Sequence, residues 1–544
     1  MLFRSMNAEL TSIRDHETFV KVNKPDAHIN IVSCKWVFAV KVKDGIVIRF
    51  KARLVARGFS QQYGVDYEET YSPVLKYKTL RILLSIVCIR DLTLELMDVQ
   101  TAYLNAPLKE TVYMAQPEGF EEGGSNVVWL LKKALYGLKQ SGREWHAHIN
   151  DFVLTLGFTR LVSDTCVYVK RSRKGNIMIL SLYVDDIPSA FDEDDRTEWE
   201  EMKAAFFQKY SIKFLGEADW LLNMRITRDR KNRLLWLDQQ AYVDNMLEEF
   251  NLDQCRNVTH PGSQEELTKA GCPTTTDDIE SMKMIPYRRV IGLLTYLANT
   301  SRPDIAHAVN NAAQFSQNPG ESHWRAVKQI LRYLSGTHKY GLKFSGTNQS
   351  QQSSSSASVS SIPPLSAYSD ANWGNCKDSR RSTTGWLLQL GNCWIDWNCH
   401  KQVTVALSSC EAEYMAMGSA TQAVIWTTSI LRELYMISAD SDSGGNILTA
   451  RTASYPSHPF SSIPTLFGDN KSAIAMAIND AMHARSKHID IRHHFIRDAI
   501  TARRIKIEWV SSNEQIADVL TKTMGAGPFI RLRDMIVEQK QLPG

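Results

Sequence analysis

Residues 177–184, IMILSLYV, form an almost unbroken apolar run that ends on two adjacent carboxylates, Asp185 and Asp186. Such a run reads as a buried strand. Two like charges about 4 Å apart repel by roughly 4 kcal/mol near a protein surface, and apolar surroundings add a desolvation cost. A fold that keeps both acids ionised must place something positive between them. Taken alone, the VDD triplet is equally a turn, so the reading needs further residues.

At this length the chain holds roughly three or four domains, and 43% hydrophobic residues are enough for their cores. The net charge of +4 excludes a polycation and shifts attention to local patches. Between Lys41 and Arg57, six basic residues (Lys41, Lys43, Arg49, Lys51, Arg53, Arg57) stand against the single acid Asp44. This stretch is either a phosphate-contacting face or an ordinary solvated strand. The nine cysteines are scattered, without a CxxC pair, so a reducing compartment is expected and neither a disulfide framework nor a zinc site is indicated. Cys393, Cys399 and His400 in CWIDWNCH follow the alternation of a strand. Apolar runs such as ILLSIVCI from Ile82 fall short of the ~20 residues that cross a bilayer. The N-terminus carries acids where a signal peptide has none, so an intracellular protein without a membrane partner is expected.

Eight of the twelve residues from Ser350 to Ser361 are serine, and Pro363 and Pro364 follow, which is the composition of a flexible linker at 350–364. Residues 438–464 read as a long surface insertion. Its DSG triplet at Asp442 to Gly444 is also the aspartic-protease triplet, but no apolar strand precedes it and it reads as loop. Before the linker, strands such as CKWVFAVKV and LTLELMDV mix with helices such as AVNNAAQF and WRAVKQILRYL, an α+β pattern. After it the expected order is three strands, a helix from Ser409, the strand PTLFGD, two helices, the strand RRIKIEWV and a last helix in NEQIADVLTK.

Leu94, Leu96 and Asp98 alternate with Glu95 and Met97, which places Asp98 on an apolar face as a third inward carboxylate. With Asp185 and Asp186 it makes an oxygen-rich cage suited to Mg²⁺, a hard cation held by few carboxylates and by substrate phosphates.

Four segments now carry a resemblance: KWVFAVKVKDGIVIRFKARLVARGFSQQYGVDYEETYSPV, MDVQTAYLNAPLKETVYMAQPEGF, ALYGLKQSGREWH and SLYVDDI. Together, in this order, they resemble the reverse transcriptase of copia-type LTR retrotransposon Pol polyproteins. LTYLANTSRPDIAHAVN and ILRYLSGTHKYGL extend the resemblance, which covers almost the whole chain. It implies that Asp98, Asp185 and Asp186 are the polymerase triad. They would hold two Mg²⁺ ions about 3.5 to 4 Å apart for in-line attack of a primer 3′-hydroxyl on a deoxynucleoside triphosphate. It also implies that Tyr103 crowds the sugar 2′-carbon, that Lys51 or Arg53 meets the triphosphate, and that Gln140 lines the nucleotide and template site.

Beyond the linker, Asp370 ends the first strand, Asp469 ends another, and Asp518 begins the last expected helix. Glu413 lies on a helix announced by a capping box of Ser408 with Glu411. This arrangement resembles RNase H, and SSCEAEY with RSKHIDIRHHFIRD resembles its copia-type version. The resemblance makes Asp370, Glu413, Asp469 and Asp518 the carboxylates of a second two-metal site, which hydrolyses the RNA of an RNA/DNA hybrid. It favours Glu413 over Glu411. His488, His493 and His494 read as structural or nucleic-acid-facing, because the expected metal prefers oxygen.

The implied fold class is α+β: a right-hand polymerase with fingers and palm at 1–255 and a helical thumb and connection at 256–349. The linker at 350–364 leads to an α/β RNase H-like domain at 365–544 with its insertion at 438–464. The implied cofactor is Mg²⁺, two ions per site, with Mn²⁺ as substitute. RNA template, DNA primer, RNA/DNA hybrid and deoxynucleoside triphosphates are the implied ligands. Element-encoded integrase, protease and capsid proteins are the implied partners, in a cytoplasmic protein within virus-like particles with a nuclear phase. Three positions depart from the family pattern. Gly142 replaces a proline, Pro188 falls in the return strand of the hairpin, and Asn223 replaces a glycine. They leave open a decayed element that keeps only the nuclease, or a non-catalytic nucleic-acid-binding remnant.

Overall fold

The strand Thr93–Val99 is buried on both faces, so its polar members must find partners inside. Glu95 does so, accepting from Trp199 Nε1 at 2.8 Å and pairing with Arg196 and with Lys203 at 3.3 Å. The computed structural model describes residues 2–43, 46–263, 265–346, 363–436, 462–478 and 490–540. The serine-rich linker up to residue 362, the expected insertion up to 461 with its DSG triplet, and His488 lie outside the described residues. The side chains of His493 and His494 do as well.

The chain divides by packing into two units, residues 1–75 with 93–217 and residues 76–92 with 218–544. In the first unit, Thr93–Val99 sits second in a six-stranded antiparallel sheet. The strands run in the order Ile212–Glu217, Thr93–Val99, Asp186–Phe191, Ile177–Ser181, Val167–Arg171, Thr159–Arg160. A four-stranded sheet and a two-stranded ribbon, Cys34–Lys43 with Ile46–Ala56, complete the strands of this unit. Leu10 and Ile13 of the first helix join Leu54, Val112, Trp129 and Leu138 in one core. That core fixes the ribbon's base through Leu54 and Ala56.

The apolar run 177–184 is shorter as a strand than its composition suggests. Strand Ile177–Ser181 stops at Ser181, and Val184 takes a left-handed φ of +56° in the turn. Asp186 opens the return strand. Pro188 is accommodated there. The ladder pairs Ile179 with Ala190 and Leu180 with Ser189, then breaks at Pro188, whose carbonyl accepts from Ser181 Oγ at 3.0 Å.

In the second unit, helix Tyr77–Arg90 is apolar on nearly every side, the mark of a buried helix. It packs against strand Cys393–Lys401. Arg81 secures it, donating from Nε to Ile395 O at 2.7 Å and lying 3.9 Å over the Trp397 ring. A mixed five-stranded sheet follows in the order Cys393–Lys401, Thr383–Leu390, Leu365–Asn372, Thr465–Gly468, Lys506–Trp509. Its first three strands are antiparallel and the last two run parallel to the third. With helices Ser409–Met436, Lys471–Ile478 and Asp490–Thr501 this is the α/β, RNase H-like order that the resemblance implies.

One expected element differs. NEQIADVLTK is not a helix; Asp518 lies in a short 3₁₀ segment, Ile516–Leu520. Gln515 explains it: its side chain donates to Ser369 O at 3.0 Å and accepts from Ala517 N, pinning the chain to the third strand where a regular helix would have to turn away. Asp370, expected at a strand end, stands inside Leu365–Asn372. Among the described residues no helix is long and apolar enough to cross a membrane.

Candidate active sites

In the first unit, sheet register brings Asp98 and Asp186 directly opposite one another. The backbone groups of Asp186 bond with Tyr183, and Val99 N donates to Asp185 O at 2.8 Å. Asp98 and Asp186 are therefore a non-hydrogen-bonded pair, the closer of the two antiparallel kinds. Asp185 is carried beside them by the left-handed Val184, a conformation that costs a β-branched residue roughly 1–3 kcal/mol. Trp145, on helix Ser141–Thr155, holds that turn by donating from Nε1 to Val184 O at 2.8 Å.

Burial, then the charges of Asp98 and Asp186, push the Asp185 carboxyl up to about 6. Burial and Asp98 push Asp186 up to about 6. Oδ1 of Asp185 is buried and has no hydrogen-bond partner among the described residues. An unpartnered buried carboxylate oxygen between two like charges fits a hard divalent cation.

Lys51 and Arg53 act on Asp185 from the ribbon, each lowering its pKa. The Tyr103 hydroxyl is pushed up by burial and by Asp185, which places it in the same neighbourhood. Tyr136, which the sequence reading passed over, belongs with them. Its ring is 5.0 Å from Tyr103 and lies 5.2 Å from the Arg53 guanidinium. Its signal was its place in ALYGLKQ. Gly137, at φ +90°, lets that segment lie against the ribbon, since a Cβ there would meet Ala56 O at 2.1 Å.

Gln140 is not brought to this group. It has no exposed surface, and its amide is used internally, donating to Asp66 O at 2.8 Å and accepting from Gln61 at 3.0 Å. Its amide ties the loop 61–66 to the start of helix Ser141–Thr155. Gly142 sits in the first turn of its helix, where a Cβ would meet Ser72 Oγ at 2.9 Å. In the second unit, Asn223 occupies a left-handed turn position that asparagine tolerates better than most residues.

The second unit also contains a site. Oxygen atoms of Asp370, Glu413 and Asp469 lie within 4.8 Å of one another. Small residues make this possible: Ala371 on the strand meets Ala412 and Ala416 on helix Ser409–Met436, so the two backbones approach closely. The cap is Ser408, whose Oγ accepts from Glu411 N at 3.1 Å, while the Glu411 carboxylate accepts from Leu407 N at 2.7 Å, one residue before the cap. Glu413 is thereby free to face Asp370. Burial first, then Asp370 and Asp469, push the Glu413 carboxyl far up. Asp469 accepts from Ser512 Oγ at 2.8 Å.

Asp518 is not in the tight group. Lys522 bridges it to Asp370, with Nζ 2.7 Å from Asp518 Oδ1 and 3.2 Å from Asp370 Oδ1. Burial and Asp370 push the Asp518 carboxyl up against the opposing effect of Lys522. The sequence reading missed Lys522, although its place four residues after Asp518 was a visible pairing signal. Three convergent carboxylates with no sulfur or imidazole among them suit a divalent cation of the Mg²⁺ type.

A family model described as reverse transcriptase (RNA-dependent DNA polymerase) matches residues 16–264. The retrovirus-related Pol polyprotein from transposon TNT 1-94 of Nicotiana tabacum is 36% identical over 539 residues, covering 98% of this chain and 38% of that protein. The retrovirus-related Pol polyprotein from transposon RE1 of Arabidopsis thaliana is 35% identical, covering 96% of this chain and 33% of that protein. A transposon Ty5-1 protein of Saccharomyces cerevisiae is 30% identical over 322 residues, which are 59% of this chain and 97% of that protein. The chain thus spans little more than a third of the length of the Pol polyproteins it matches.

Proposed function

The chain belongs to the copia-type family of retrotransposon Pol polyproteins with a reverse transcriptase, and from that premise we propose that it carries two activities. One is RNA-directed DNA polymerisation at Asp98, Asp185 and Asp186. The other is ribonuclease H cleavage at Asp370, Glu413, Asp469 and Asp518. The observation that carries this reading is the same device built twice, a set of buried carboxylates brought together so that their charges raise one another's pKa.

Mg²⁺, with Mn²⁺ as substitute, is the cofactor that fits these oxygen donors; two divalent ions at such a site activate the attacking oxygen and stabilise the leaving one. The protein's own residues do the rest. Lys51 and Arg53 give the incoming triphosphate a basic wall, and Tyr103, edge-on to Tyr136, closes the side where a 2′-hydroxyl would sit. In the nuclease, the strand bearing Asp370 and the helix bearing Glu413 hold their acids at fixed separation. Residues 1–255 serve as fingers and palm, 256–349 as thumb and connection, and 365–544 as the nuclease domain. The ligands are RNA template, DNA primer, hybrid and deoxynucleoside triphosphates. Integrase, protease and capsid proteins of the element are its partners, in the cytoplasm within virus-like particles and later in the nucleus.

Primer extension on an RNA template in Mg²⁺ tests this reading, run beside Asp185→Asn. Extension by the natural protein that disappears in the variant is expected. Absence of extension in both, with hybrid cleavage retained, would reduce the chain to a nuclease.

A further inference from the structure

Resting on the nuclease reading above, we infer that Lys522 is a positioning residue that acts as a built-in cation. Its ammonium occupies the place between Asp370 and Asp518, so the free protein has a single divalent-ion position there, at Asp370, Glu413 and Asp469.

The geometry separates the four acids into two groups that share Asp370. Asp370, Glu413 and Asp469 converge within 4.8 Å, and among the described residues no basic side chain bridges the three. On the other flank, Lys522 Nζ reaches Asp370 Oδ1 at 3.2 Å and Asp518 Oδ1 at 2.7 Å, the contacts that a bridging cation would make. The remaining oxygen of Asp370, Oδ2, accepts from Thr521 Oγ1, the residue next to Lys522. Asp370 is 1% exposed, and its two oxygens are held from one short segment.

The lysine also has somewhere to go. Its side chain keeps 36% of its exposure and lines a cavity of about 530 Å³ with Asn372, Asn375, Thr383 and Asn311. A second ion can therefore enter between Asp370 and Asp518 only after Lys522 swings into this cavity. Hybrid binding, which brings a phosphate to the site, supplies a new partner for the ammonium and favours that movement.

The test counts Mn²⁺ ions by paramagnetic titration in the full chain, in a background of Asp98→Asn, Asp185→Asn and Asp186→Asn that removes the polymerase carboxylates. One bound ion is expected, with a second at least roughly tenfold weaker, as a nearby like charge requires. Lys522→Met should bind two ions of comparable affinity, and Lys522→Arg should return the count to one, showing that the charge rather than a folding defect is read. The same count with and without the lysine overturns the inference. No bound ion in the Lys522-containing background would instead overturn the nuclease carboxylate site itself.

Discussion

Asp185→Asn should stabilise the metal-free hairpin while abolishing polymerisation. The Asp185 carboxyl is raised from its ordinary 3.8 to about 6 by burial and by Asp98 and Asp186. At about 1.4 kcal/mol per pKa unit this is at most ~3 kcal/mol, and residual hydration of the side chain brings it to about 1–2 kcal/mol. The sign follows from the direction of the rise. The folded state holds its proton more tightly than the unfolded state, so stability is lost as pH rises from about 4 through 6. The asparagine keeps the shape and drops the charge. In chelator at pH 7.5, amide exchange across residues 177–191 should slow by roughly 5- to 30-fold in the variant. By pH 4.5 the gap should shrink to about a third in free energy. Equal protection at both pH values, or faster exchange in the variant, would show that the carboxylate is already compensated within the protein and refute the reasoning.

Trp145→Phe removes the bond that holds the strained Val184 turn. A lost hydrogen bond of about 1 kcal/mol should slow primer extension several-fold, with hybrid cleavage unchanged; equal loss of both would point to global misfolding. Because the Glu413 carboxyl is raised far above its ordinary range, Mg²⁺ must displace a proton to bind. Calorimetry in buffers of different ionisation enthalpy should register proton release, and apparent affinity should climb with pH. A pH-independent affinity would mean that Glu413 is already ionised.

What could be read in the sequence was whatever depended on near neighbours. The abrupt end of an apolar run at Asp185 and the alternation that carries Asp98 are local patterns, and both led to residues that the sheet register brings together. The Ser408–Glu411 cap likewise marked the helix of Glu413. Long-range packing was not legible. Helix Tyr77–Arg90 is bound to strand Cys393–Lys401 through Arg81 and Ile395, 314 residues apart. Gln140 sits in a segment that the family associates with the nucleotide, yet its amide is consumed by Gln61 and Asp66, which no periodicity reveals. The neighbours of Asp518 favour a helix; the side chain of Gln515 overrides that preference.

The most direct test is to follow both reactions in one preparation, with Asp186→Asn and Glu413→Gln as the two variants. Two separate carboxylate sites predict a crossed result: Asp186→Asn loses extension and keeps hybrid cleavage, while Glu413→Gln does the reverse. Loss of both reactions from either single substitution, or of neither, would contradict it.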